Sequence, residues 1–414
     1  MARTLGMLFL IFSFSANAQT SLSLKDCEIL FQKNNLQLLS EQYNIAGSKA
    51  AVIQARIWEQ PYVSGEVNFY NPNNKQVFDI GKKGQKALAI QQLIYMGGKK
   101  KSEIEFAQSN VQLAELQYEE LLRNLSYQLK SSFYEVYFGQ LKIKQLEKQI
   151  TQLDELIKAY TVQANKGNVA LKEVVRLESL ALSLRNDIND IQKTVMAFQE
   201  NLQILTNTNE NISAIGNESD LNQQMLTPSI FTLAQLQGKA LEKNPNYLKA
   251  VKQKEQDEIN LRWQKAIAKP DLTIGGTYDQ SGGAFSNQVT LTFGMSLPFK
   301  NKNRGNIKVA ESLLSKSSVD IDQAKTSLSA QLATAYNTLN YQQSQLSKSL
   351  QSMGDFETVY TGVIQNFQKR NISLIEFTDF IESYNQSILY INEIKKQIIL
   401  SKETINYIAN ENIF

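Results

Sequence analysis

IEFAQSNVQLAELQYEELLRNL, residues 104–125, is the stretch whose reading decides the fold. Its apolar or small positions, Ile104, Ala107, Val111, Ala114, Tyr118, Leu121 and Leu125, recur at alternating intervals of three and four. A mean period of about 3.5 residues marks the seam of a helix packed on other helices. The run continues without proline to Asn165, with Gly139 its only glycine, and ends at the turn Lys166-Gly167-Asn168. Helical throughout, it measures about 90 Å at ~1.5 Å per residue. An ordinary globular domain has no use for such a rod.

The same rod occurs twice. A shift of 203 carries the seam onto Ile307, Ala310, Leu314, Ser317, Ile321, Ala324 and Leu328. The shift holds through the turn, where Lys166 matches Lys369, Val169 matches Ile372, Leu171 matches Leu374 and Glu173 matches Glu376. The chain is an internal duplication, which must be settled before any fold is drawn.

Composition excludes several function classes. A net charge of +3 over 414 residues gives no electrostatic case for nucleic acid. Histidine is absent, which removes triad hydrolysis and histidine-ligated metal chemistry. The single cysteine, Cys27, permits no internal disulfide and is expected as a small buried residue on a helix. Carboxylate pairs can act without histidine, but no cleft-forming α/β pattern or phosphate loop accompanies them, so no catalytic set, metal site or cofactor is expected. Methionines beyond the leader are scattered and form no metal relay. Residues 1–18 read as a secretory signal: Arg3, the apolar run Leu5 to Phe14, then Ala16-Asn17-Ala18 as cleavage site. No later stretch approaches the length of a membrane-spanning helix.

Taken in order, 19–206 is the first repeat. Helical spacing from Ser23 to Trp58 ends at Pro61, and the period then changes to two. Strands are expected at about 62–70 and 86–95, the long helix at about 99–165 and a return helix at about 169–205. A polar linker, 207–230, leads to the second repeat, 231–414. There Thr232 to Ala268 is the first helix, strands lie at about 271–279 and 287–297, the long helix at about 306–366 and the return helix at about 374–408. The clearest strand alternates Val289, Leu291, Phe293, Met295 and Leu297 with Gln288, Thr290, Thr292, Gly294 and Ser296.

Strands of about ten residues with one apolar face fit a bilayer-crossing barrel. Taken alone they fit equally well a pair of amphipathic hairpins on a soluble core. The export signal and the rods favour the barrel. Four strands are fewer than the roughly eight a membrane barrel needs, and lipid does not tolerate open edges, so copies of the chain must share one. The competing reading is a structural or adhesive trimeric coiled coil at the cell surface without a lumen, which leaves the alternating strands unexplained.

The duplicated helix–strand–strand–long helix–turn–helix units resemble the TolC family of outer-membrane efflux proteins over the whole mature chain. The most specific stretches are Gly167-Asn168-Val169-Ala170-Leu171-Lys172-Glu173-Val174 and Asn371-Ile372-Ser373-Leu374-Ile375-Glu376-Phe377, which are similar to the family's two periplasmic turns. The resemblance implies a mainly α protein with a small β part. It implies a homotrimer with a twelve-stranded barrel in outer-membrane lipid and a twelve-helix periplasmic tunnel. Its partners are then a periplasmic adaptor and an inner-membrane pump, and its role is the exit duct of a tripartite efflux or type I secretion system. The cargo, whether drug, heavy metal or protein, stays open. An acidic periplasmic gate falls on Glu376 and Asp379, with Glu173 as the first-tip acid. Ser373-x-x-Glu376 also reads as a helix capping box. Adaptor docking falls on Gly167, Asn168, Val169, Ala170 and Leu171, and on Arg370, Asn371, Ile372, Ser373 and Leu374. Where the family carries an arginine that locks the mouth, this chain has Ile372. Arg370, Lys369 or Lys172 is the expected substitute.

Overall fold

The computed structural model describes residues 20–414 apart from 74, 83, 229, 283, 300, 301 and 355, and not the side chains of 352 and 353. The expected signal, 1–18, lies outside the described residues. In chain order the elements are β1 (Thr20–Leu22), α1 (Leu24–Asn34), α2 (Leu36–Arg56), β2 (Tyr62–Val67), β3 (Tyr70–Asn71), β4 (Gln76–Val77), β5 (Gln85–Ile94), α3 (Lys99–Asn165) and α4 (Leu171–Thr206). Then follow β6 (Ile212–Ala214), α5 (Glu218–Leu226), α6 (Leu233–Lys243), α7 (Pro245–Ile267), β7 (Leu272–Ser281), β8 (Phe285–Met295), α8 (Arg304–Met353), α9 (Phe356–Gln368) and α10 (Leu374–Ala409).

Heptad seams fix the long helices. None of the seven seam positions in α3, nor their seven partners in α8, is exposed. Three expectations need correction. The helix expected over 306–366 is two helices, because α8 stops at Met353 beside Gly354, whose φ of +42 is outside helical space. Each repeat's first helix is also split, at Asn35 and at Asn244. Both are N-caps: the Asn35 Oδ1 accepts from Leu38 N at 3.0 Å, and the Asn244 Oδ1 accepts from Asn246 N at 3.0 Å, with Pro245 at the first helical position. The polar linker 207–230 is ordered as β6 and α5. β6 pairs in parallel with β1, and the Asn217 side chain caps α5.

The chain forms two units. One comprises Ser40–Leu121 and Ala240–Ser329. Its centre is a four-stranded antiparallel sheet in the order β2-β5-β7-β8. The register sorts side chains cleanly. Val63, Ile90, Gly276 and Leu291 stand in one row, and Gly65, Leu88, Tyr278 and Val289 in the next. Directly opposed residues share a face, so over these two rows this face is apolar but for the Tyr278 hydroxyl. Rows on the other face read Ser64, Ala89, Thr277, Thr290 and Glu66, Ala87, Asp279, Gln288. The apolar face is bare: Leu291 is 80% and Phe293 82% exposed. No strand pairs with the outer edge of β2 or of β8 among the described residues.

The other unit comprises, of the described residues, those from Thr20 to Leu39, Leu122–Lys239 and Ala330–Phe414. Gly139 lets Val195 of α4 press against α3, since a Cβ there would collide with its methyl. Half-buried ion pairs join α3 to α10: Lys142–Glu393 at 2.8 Å, Lys396–Glu135 at 2.9 Å and Lys130–Glu403 at 3.0 Å. The wholly buried Lys402 donates to the carbonyls of Gln224 and Thr227, pinning the end of α5. Cys27 is buried, and burial pushes its thiol up to about 12, so it is inert.

Candidate functional site

The two helical hairpins α3–α4 and α9–α10 end in turns built alike. In the first, Gly167 N donates to Ala164 O at 2.9 Å and Asn168 N to Gln163 O at 2.9 Å. In the second, Arg370 N donates to Phe367 O at 3.0 Å and Asn371 N to Asn366 O at 2.8 Å. Both are Schellman turns, whose closing residue sits in the left-handed region. Gly167 has φ +76 and Arg370 φ +61. Side chains repeat the match: Asn168 Nδ2 donates to Gln163 Oε1, and Asn371 Nδ2 to Asn366 Oδ1.

Beneath the turns lies an aromatic core. Phe367 and Phe377, each 1% exposed, stack with centroids 4.1 Å apart and planes 10° apart, and Tyr160 stacks on Phe367 at 5.3 Å. Leu153, Leu156, Leu177, Ile381 and Tyr384 complete the cluster. The sequence reading had no means of seeing this stack, because its members come from α3, α9 and α10.

The tips part company at the helix starts. Ser373 and Glu376 form a capping box: Glu376 N donates to Ser373 Oγ at 3.2 Å and Ser373 N donates to Glu376 Oε2 at 2.8 Å. Hydrogen bonds from the Ser373 backbone and then its hydroxyl hold the Glu376 carboxyl below the usual carboxylate range. The first tip has Ala170 at the capping position, with no side-chain cap, so Glu173 has no box to complete. Val169 and Ile372 are half-buried, and Ile372 and Leu374 pack on the aromatic core, whereas Leu171 is exposed. Gly167, Asn168, Ala170, Arg370, Asn371 and Ser373 are all exposed.

Asp379 stands one turn beyond Glu376 and is exposed. Arg176 Nη2 lies 3.9 Å from its Oδ1. The sequence reading passed over Arg176. Its signal was available, since it follows Glu173 by three residues and shares that helical face. None of Arg370, Lys369 and Lys172 makes an ion pair with Glu173 among the described residues. Arg370 and Glu173 meet electrostatically at Tyr160, whose phenol is raised first by burial and then by Glu173, against Arg370. Two neutral or charged links also tie the hairpins: Tyr360 Oη donates to Gln152 Oε1 at 2.7 Å, and Lys148 pairs with Glu357 at 3.1 Å.

A family model described as outer membrane efflux protein matches residues 236–368. That stretch is about a third of the chain. No curated protein matches it by sequence. Among solved structures it is similar to CusC, at 16% identity and a TM-score of 0.78, over 96% of this chain and 95% of that one. It is similar to the CmeC outer membrane channel of Campylobacter jejuni, at 13% identity and a TM-score of 0.77, over 94% and 86%. The outer membrane protein VceC of Vibrio cholerae follows at 12% identity and a TM-score of 0.73, over 94% and 97%. At such identities the likeness carries the fold, mainly helical with a small sheet. The likeness in fold agrees with the outer membrane efflux protein model matched over residues 236–368.

Proposed function

We propose that three copies of the chain close a twelve-stranded barrel in the outer membrane and continue it as a twelve-helix tunnel in the periplasm. One observation carries this: a four-stranded sheet with a bare apolar face and two unpaired edges, β2 and β8. Lipid hydrates neither an edge nor a backbone carbonyl, so the edges must pair between copies. The repeats 19–206 and 231–414 then contribute two strands and one long helical hairpin each.

The duct serves a tripartite efflux or type I secretion system, and its partners are a periplasmic adaptor and an inner-membrane pump. The exposed turns, 167–171 and 370–374, are where the adaptor docks. Glu376 and Asp379, repeated threefold, ring the periplasmic mouth and favour cations. Glu376 caps its helix with one oxygen, which leaves the charge in place. Arg176 takes the part of the family's locking arginine through Asp379, and Glu173 acts through Tyr160.

Single-channel conductance of the purified chain in a planar bilayer tests the reading, with Glu376→Gln/Asp379→Asn alongside. Small cation-selective steps that lose selectivity in the variant are expected. Steps indifferent to the variant refute the acidic mouth, and a well-folded oligomer that does not conduct refutes the duct.

A further inference from the structure

The end of the β2–β5 ribbon remote from its helix connections carries a feature the duct does not require. β2 continues through Asn68, whose N donates to Gln85 O at 3.0 Å, into Phe69 and the small hairpin β3–β4. Phe69 and Phe78 meet edge to face at 5.2 Å and 89°. Phe69, Tyr70, Val77, Phe78 and Ile80 are all more than half exposed.

This is an ordered hairpin, held by its own polar groups. Asn71 Nδ2 donates to Asp79 Oδ2 at 2.9 Å, and both residues are buried. Asn73 N and Gly81 N donate to Asn71 Oδ1 and Asp79 Oδ1. The buried Gln280 donates to Gly81 O at 2.7 Å, tying the segment to β7. The fold thus turns the polar side chains inward and the aromatic ones outward, the reverse of a water-facing loop.

Charge completes the pattern. Between Glu66 and Glu103 the only acid in the sequence is Asp79, which faces inward. Lys75 and Lys82 are exposed, and Lys86 shares a row with Val67 and Gln280 on the apolar face of the sheet. The neighbouring β7–β8 turn, 281–285, carries no charge. Aromatic residues topped by lysines, continuous with a lipid-facing surface, are the chemistry that seats in an anionic headgroup layer, with the lysine stems lying on apolar surface.

We propose that the β3–β4 hairpin is a seat for phosphorylated lipid headgroups of the leaflet that it reaches, Phe69 and Phe78 entering the acyl boundary and Lys75, Lys82 and Lys86 pairing with phosphate. This rests on the reading that the apolar face of the sheet meets lipid. The test uses the buried state of Cys27, which leaves an introduced cysteine as the one accessible thiol among the described residues. Full-length Gln76→Cys and Leu291→Cys proteins are labelled with an environment-sensitive fluorophore and reconstituted into phosphatidylcholine vesicles, with and without lipid A, containing nitroxide quenchers at the headgroup or in the acyl chain.

The hairpin label should be quenched from the headgroup layer, and more strongly when lipid A is present. Lys75→Gln/Lys82→Gln/Lys86→Gln should weaken the lipid A response by about fivefold per lysine removed, before screening. Inorganic phosphate added to neutral vesicles should leave the label unchanged. Equal quenching in both vesicle types, or a response to free phosphate, overturns the proposal. So does emission that depends on contact between copies and not on lipid. If the Leu291→Cys label escapes the acyl-chain quencher, the membrane reading itself fails; if that label is quenched and the hairpin label is not, only the hairpin seat fails.

Discussion

Truncating Phe367 to alanine separates the two devices that hold the tip. Its ring is 1% exposed and stacked between Tyr160 and Phe377, so its loss costs about 3–5 kcal/mol through cavity and transfer terms. The two stacked contacts are part of that loss. The Arg176–Asp379 pair lies on the surface at 3.9 Å and contributes about 0–1 kcal/mol. Packing therefore outweighs the ion pair. Hydrogen exchange at the Schellman amides of Asn168 and Asn371 reads local opening directly. Phe367→Ala should speed it by about two to three and a half powers of ten, at ~1.4 kcal/mol per tenfold, and Arg176→Ala by about fivefold at most. An acceleration under tenfold for Phe367→Ala, or equal effects of the two variants, refutes the argument that packing holds the tip.

At the turns themselves, Arg370→Gly should stabilise the second hairpin and Gly167→Arg destabilise the first, each by about 1 kcal/mol, because only glycine meets the left-handed position without strain; thermal melts of the two variants moving in the same direction would contradict this. Burial alone would raise the Glu393 carboxyl, but hydrogen bonds from Gln397, Lys142 and Lys396 hold it down at about 2, so its contribution is full above about 4.5 and is lost as pH falls from 4.5 toward 2. Denaturation of Glu393→Gln should accordingly show a deficit of about 1 kcal/mol at neutral pH after discounting for exposure, fading in acid, and a deficit that persists at pH 2 would assign the loss to packing.

How far the sequence could be read follows from where each signal resides. The duplicated seam was legible because a heptad pattern is local and one-dimensional, and every seam position is covered in the fold. Breaks at Asn35 and Asn244 were missed although asparagine is a strong N-cap, because apolar spacing runs on across both. The interruption beside Gly354 was overlooked for the same reason. Lys86 to Tyr95 alternates poorly when read alone. Only the register, which sets Ile90 beside Val63 and Gly276, shows which of its residues face the apolar side. At the candidate site the Ser373–Glu376 box was written in the spacing, whereas the partner of Asp379 was not. Arg176 lies 203 residues before Asp379, which makes the two equivalent positions of the duplication, but equivalence in a repeat does not by itself say that two side chains meet.

The duplication also explains why the tips are not equivalent. Both inherit the same Schellman hydrogen bonds, so the backbone path is fixed twice over. Three differences then matter most. Arginine replaces glycine at 370, serine replaces alanine at 373, and Leu374 packs where Leu171 stays exposed. A cap contributes about 1 kcal/mol and a left-handed arginine costs about as much, so those two changes nearly cancel. Burial of Leu374 and Ile372 on the stacked rings is what remains. The second hairpin is therefore the better anchored through its apolar contacts. The start of α4, uncapped and with Leu171 in solvent, is left as the looser of the two, and the exposed charges of Arg176 and Asp379 link it to its neighbour through a contact too weak to hold it alone.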